Sequence, residues 1–178
     1  MKRFILILAL AIDANHLSAQ HFTPVDEGSN VKFIIRNFGL NVTGEFKGLK
    51  GDISFDPGNL SSASFIASVD AATVNTGNGS RDRHLRKEEY LYVEKFPLID
   101  FVSTRISTNS GKLVMEGRIT IRGVTKNISF PFSVVQGTED DHFEGEFKLN
   151  RRDFGVGGSS WVMSDELRVS LSVRAIKK

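Results

Sequence analysis

Most of this chain alternates apolar and polar residues one by one. That period of two belongs to a strand with one buried face, not to a helix. VKFIIR sets Val31, Phe33 and Ile35 against Lys32 and Arg36. VTGEFKGLKGDISF is longer, and its parity changes along the way. Val42, Gly44 and Phe46 share one face, whereas Gly51, Ile53 and Phe55 share the other. A bulge or sharp bend near Gly48 restores a single inward face. FIASVDAATV alternates through Phe65, Ala67, Val69 and Ala71, and IDFVSTRI offers Ile99 and Phe101. LVMEGRITI, NISFPFSV, HFEGEFKLN and LRVSLSVRA complete a set of eight predicted strands, with Pro131 predicting an edge or a bulge in its segment. Short turns such as DPGN favour antiparallel neighbours. Two architectures bury such faces: a two-layer sandwich, or a closed barrel that leaves no free edges. A barrel of about eight strands is just wide enough for side chains or one slim ligand.

With 178 residues, 14 Phe and no Cys, the chain fits one domain with a substantial core and no disulfides. A formal charge of +2 gives no electrostatic case for nucleic acid. The first residues differ from the rest. Lys2 and Arg3 precede an apolar run from Phe4 to Ile12, and Ser18 and Ala19 follow. This is the layout of a secretory leader, too short to span a bilayer as a helix, and residues 1–19 are expected to be removed on export. No transmembrane span is expected in the mature chain.

One stretch breaks the alternation. TGNGSRDRHLRKEEYLYVEKFP, Thr76–Pro97, is a Gly-rich turn, a charged block and an aromatic run. Ser80 can cap a short helix there, with Asp82 in its first turn and Arg86 and Lys87 in its last. Leu85, Tyr90, Leu91 and Tyr92 then face an apolar surface, and Pro97 ends the segment before the next strand. No catalytic residue is assigned. Arg81, Asp82 and His84 have no nucleophile or second base at hand, and a structural role at the strand ends is the better reading. His84 and Glu88 stand at i and i+4, but no HExxH accompanies them and no metal site is expected. FGVGGSSW lacks the Gly-Lys-Ser/Thr ending of a phosphate loop and reads as a turn. Trp161 suits either rim or core.

VNTGNGSRDRHLR, then EYLYVEKFPLIDFVST, then GRITIRGVTKNISFPF resemble in order the signature of the YceI-like family of lipid- or polyisoprenoid-binding proteins. FTPVDEGSNVKFIIRNFGLNVTGEFKGLKGDISFD and NRRDFGVG fit the same pattern, so the resemblance runs from Phe22 to Ala175. It implies an all-β fold: an eight-stranded antiparallel lipocalin-like barrel with a short helical insert, occupying residues 22–176. It implies a periplasmic or secreted protein, a homodimer in some members, and a long isoprenoid or comparable amphiphile held in an apolar tunnel. Asn37 departs from the family, where many members carry His.

Composition by itself favours a filled core, since small barrels usually pack solid; the resemblance reverses that reading. Parity then assigns Phe33, Ile35, Phe46, Val69, Phe101, Met115, Ile119, Phe130, Phe143, Phe147 and Val169 to the tunnel wall, with Leu85, Leu91 and Phe96 from the insert. Gly44, Gly117 and Gly145 on the inward parity are expected to leave space between these walls. Arg81, Arg83, Arg86 and Lys95 are the nearest positive charges for a phosphate head. The expected function is non-catalytic binding, carriage or storage of a long-chain lipid, with no cofactor other than that ligand. A stress-protective exported protein with a filled barrel, or an enzyme acting on a lipid or quinone, are the alternatives. The insert is expected to fill and gate one end.

Overall fold

Every alternating segment becomes a strand in the computed structural model, which describes residues 20–178. The expected leader, residues 1–19, lies outside the described residues. The strands are β1 (Gln20–Asn37), β2 (Leu40–Phe55), β3 (Ser64–Asn75), β4 (Leu98–Asn109), β5 (Lys112–Ile121), β6 (Val124–Gln136), β7 (Asp140–Asn150) and β8 (Met163–Lys177). Each pairs antiparallel with the next, and β8 returns to β1, so the eight strands close into one barrel. Of the two architectures open to the sequence, the barrel is the one formed. Among the described residues one short α-helix, α1 (Gly79–Leu85), interrupts the series between β3 and β4, and 3-10 turns lie at Leu60–Ser62 and Arg151–Phe154.

The expected slip in β2 lies at Gly48. Its φ of +76° is one an L side chain adopts only under strain. The Asp26 carboxylate accepts from the amides of Gly48 and Leu49, both at 2.9 Å, and fixes the kink. Beyond it the inward series passes from Val42, Gly44 and Phe46 to Leu49, Gly51, Ile53 and Phe55. Three further slips escape the sequence pattern. In β1, Phe22 and Pro24 are buried on one parity and Ser29 on the other, and the pairing shifts between Phe22 and Val31, a stretch that holds Gly28 at a φ of +78°. In β3, Ala71 and Val74 are both buried, and the Thr73 hydroxyl donates to Asp70 O at 2.6 Å across the irregularity. In β4 the register shifts between Ser103 and Arg105, which turns Ile106 inward after Ile99 and Phe101. Each slip reverses the parity of everything after it. Pro131 pairs opposite Val114, and the β6–β7 ladder starts one residue later, at Phe132 against Gly145. The proline therefore stands where a ladder stops, and its missing N–H interrupts nothing there.

The interior divides into two halves. At the end carrying both the β2–β3 and β6–β7 turns, Phe55, Phe65, Phe132 and Phe143 stack edge to face, with ring centroids between 5.2 Å and 6.2 Å apart. Phe22 joins them at 6.0 Å from Phe143, and Ile53, Ile106 and Ala175 fill the remainder. Phe22 and Phe55 have almost no exposed surface, so this end is a solid aromatic plug. The other half is not filled.

Candidate functional site

Above the plug the barrel encloses a cavity of about 270 Å³. Its wall carries Phe33, Ile35 and Phe46 from β1 and β2, Val69 from β3, Phe101 from β4, and Met115 and Ile119 from β5. Phe130, Phe143, Phe147 and Val169 continue it through β6 to β8, and Leu85 and Leu91 close over it from the insert. Phe143 and Phe130 form the floor, because both also belong to the cluster that makes the plug.

The inward glycines act differently from expectation. A Cβ on Gly44 would stand 2.2 Å from Phe33 Cζ, one on Gly117 2.4 Å from Phe101 Cζ, and one on Gly145 2.8 Å from Phe130 Cε2. The space beside each glycine is taken by a phenyl ring on a neighbouring strand. Seated against backbone in this way, the rings stay near the wall and leave the middle of the lumen open.

The insert is organised by hydrogen bonds to strand ends. Asn78, not Ser80, caps α1, its side-chain oxygen accepting from the amides of Ser80 and Arg81. Asparagine caps as well as serine, and it stands one step before the first helical residue. Asp82 is buried and accepts from the amide and hydroxyl of Thr76, so it ties the helix back to the end of β3. Arg122, in the β5–β6 turn, donates to Glu88 O at 2.7 Å and to Gly155 O, joining the insert to the β7–β8 loop. The Gly157 amide donates to Glu89 O at 2.8 Å across the same junction.

Phe96 does not line the cavity. Its ring packs against the β5–β6 turn, where a Cβ on Gly123 would meet it at 2.6 Å, and it makes an edge contact with Tyr92. The aromatic run is a series of tight turns, with Tyr92 at a φ of 50°, so helical spacing does not govern which side chains face inward.

Of the four expected head-group cations, only Arg81 borders the cavity. Arg81 and Leu85, four residues apart, share a helix face, whereas Arg83 lies between them in sequence, turns away and is exposed. Arg86 donates to Ala72 O at 2.6 Å and Val74 O at 3.2 Å. Those carbonyls lie beyond the last β3–β4 pair, Asp70 with Leu98, so Arg86 supplies donors where β4 has left the sheet. Lys95 lies over the rings of Tyr92 and Phe96. Arg81 itself donates to the hydroxyl and carbonyl of Thr76 at 2.7 Å and 2.9 Å, which is the structural role foreseen for it.

Several wall residues were not legible in advance. Leu49 and Val74 reach the cavity because of bulges, and Phe154 and Met163 come from outside the alternating segments; Tyr90, expected to face an apolar surface, borders the cavity too. Arg151 is a further surprise: a cation only 3% exposed at the cavity's edge. Its guanidinium donates to the carbonyls of Ser164, Val156 and Gly158 and to Asp165 Oδ1, and these bonds shape the β7–β8 loop. The single signal for it is the Arg-Arg-Asp-Phe-Gly run that follows β7. Among the described residues, no cluster of three His, Cys, Asp or Glu side chains comes together to hold a metal ion. None of their helices is long and apolar enough to cross a membrane.

Comparison with known proteins agrees with this geometry. The YceI-like domain profile matches residues 22–175. Protein YceI of Salmonella arizonae is 31% identical over 156 residues, covering 83% of this chain and 81% of that protein. The crystal structure of Burkholderia cenocepacia BcnA superimposes with a TM-score of 0.78 at 23% identity, over 82% of this chain and 95% of the other. A polyisoprenoid binding domain from Saccharophagus degradans, implicated in plant cell wall breakdown, shares the fold with a TM-score of 0.71 at 13% identity, over 90% and 99% of the two chains. Barrel, insert and sequence motifs together place this chain in the YceI-like family.

Proposed function

We propose that the protein binds the tail of a long-chain isoprenoid or similar amphiphilic lipid in the upper half of its barrel, and carries or stores it without chemical change. The observation that carries this reading is the continuous apolar wall around about 270 Å³ of space, floored by Phe130 and Phe143 and roofed by Leu85 and Leu91. That volume sits near the lower end for small-molecule sites, roughly 300–1,000 Å³, which suits a slender chain better than a bulky ring system. Each methylene buried there contributes about 0.8 kcal/mol, enough over a long tail to outweigh the ordering of the ligand. Arg81, beside the roof residue Leu85, is the cation we assign to a phosphate or other anionic head; Lys32 and Arg151 also border the cavity. Phe33, Phe101, Met115 and Phe147 offer the middle of the cavity neither nucleophile nor general base, which favours binding over catalysis. The polyisoprenoid-binding description of the Saccharophagus domain supports the same ligand class. The leader-like Met1–Ala19 supports a periplasmic or secreted location.

Mass spectrometry of an organic extract of the purified protein tests the proposal. A stoichiometric long-chain lipid is the expected result. An empty extract, together with no uptake of isoprenoid from vesicles, would leave a structural barrel as the better description.

A further inference from the structure

The cavity end of the barrel carries an apolar tip that binding a tail does not explain. Phe38 is 74% exposed, Leu40 72%, Trp161 fully, and Val162 42%. They come from two loops that meet: the Phe38 amide donates to Val162 O at 2.8 Å. The tip adjoins the cavity through the backbone, since Asn37 pairs with Met163 and both border the lumen. The turn itself is unusual. Phe38 has a φ of 51° and is followed by Gly39 at 76°, a two-residue hairpin that favours Asn, Asp or Gly in its first place. A bulky aromatic held there in water opposes both backbone preference and burial.

Charge is absent from the tip and present behind it. Asn37–Asn41 and Gly155–Met163 contain no Asp, Glu, Lys or Arg in a chain that is 25% charged. Arg36 and Arg152 are exposed beside these segments and make no ion pair among the described residues. Of the nearby acids, Asp165 and Glu166 are held by Arg151 and Lys148, and Asp153 stands exposed beside Arg152. A neutral aromatic point with unpaired cations set back from it is complementary to the anionic interfacial layer of a bilayer, where Trp and Phe settle without burying charge.

We infer that Phe38, Leu40, Trp161 and Val162 dock the cavity end of the barrel on a lipid bilayer surface, so that a tail passes between membrane and lumen without crossing water. The inference rests on the lipid-binding reading above. Trp161 is the single tryptophan, so its fluorescence reports on the tip alone. Mixing the purified protein with vesicles of phosphatidylcholine and phosphatidylglycerol should shift Trp161 emission to the blue, and brominated acyl chains should quench it. Phe38→Asn places a residue that the turn prefers, so thermal stability should hold or rise while partition to vesicles weakens about tenfold. Docking is overturned if Trp161 emission stays unmoved by vesicles, or if Phe38→Asn partitions like the parent. A concentration-dependent blue shift without vesicles would also overturn it, by showing that a second copy covers the tip. The two readings fail separately. Lipid in the extract with an unresponsive Trp161 removes docking alone; an empty extract with a membrane-inserted Trp161 removes tail binding and leaves docking.

Discussion

The two halves of this barrel are built from the same residue types and do opposite things with them. In the plug, Phe55, Phe65, Phe132 and Phe143 point at one another and exclude all space. In the upper half, Phe33 and Phe101 lie on glycines of neighbouring strands and leave a lumen. Packing density, not hydrophobicity, separates the two. The upper rings also touch one another, Phe33 lying 5.6 Å from Phe46 and Phe101 6.1 Å from Phe130, but Phe33 and Phe101 are seated where a Cβ is missing and stay in the wall. The plug holds the fold together and floors the lumen, and the upper half can remain underpacked because the plug supports the strands that frame it.

That contrast is open to attack, beginning with the plug. Phe55→Ala should cost about 3–5 kcal/mol, because the site is closed on all sides and cannot collapse. Urea denaturation would show it as a lowered midpoint. A loss below about 1 kcal/mol would mean that the plug is looser than its ring geometry implies.

In the roof, Leu85→Asp should speed lipid exchange by roughly an order of magnitude, since a carboxylate does not stay buried against an alkyl tail. Far-ultraviolet circular dichroism should keep its strand signal, because every barrel pair forms without the insert. If the domain unfolds instead, Leu85 belongs to the core and the roof is no gate.

In the wall, Phe147→Trp or Phe101→Trp should reduce affinity for long tails more than for short ones, with a stability change within about 1–3 kcal/mol. Equal losses across tail lengths at unchanged stability would separate these residues from the lumen. Gly44→Ala probes the ring seats. The new methyl displaces the Phe33 ring from the wall into the cavity, so tail capacity should fall while urea stability drops by only about 1–3 kcal/mol.

The smallest expected effect comes from ionisation at the plug end. The Arg174 guanidinium, 2.6 Å from Asp140, holds that carboxyl below its ordinary value of 3.8, against a smaller opposing effect of burial. A depressed folded-state value stabilises the fold above the unfolded value and ceases to do so as pH falls through the folded one. Acid titration of stability should therefore show a slight loss confined to pH values below about 4. Asp140→Asn should reduce that slope, leaving the part due to Asp52, whose carboxyl the Lys178 hydrogen bond likewise holds below its ordinary value, and should leave tail binding unchanged. A slope unchanged in Asp140→Asn would assign the acid sensitivity elsewhere.

Alternation was enough to read the strands, since a half-buried antiparallel strand must place every second side chain inward. Gly48 was readable too, because the parity on its two sides disagreed. The slips at Thr73 and at Ser103–Arg105 were not, since polar residues surround them and no apolar run changes phase visibly. Val74 and Ile106 were missed for that reason. Phe96 was misplaced because the segment after α1 turns at Tyr92, and a run of turns has no period to read. Arg83, Arg86 and Lys95 looked equivalent to Arg81 in sequence; only the helix face and the departure of β4 from β3 told them apart.

The sequence by itself determined that the chain is eight strands with one inward face and one insert. Those follow from local alternation, which each segment carries within itself. Only the tertiary structure decided that half the barrel is solid and half hollow. Whether a ring finds an absent Cβ beneath it depends on which residues of neighbouring strands stand opposite, and register across strands, shifted by irregularities in β1, β2, β3 and β4, is set by the closed barrel as a whole.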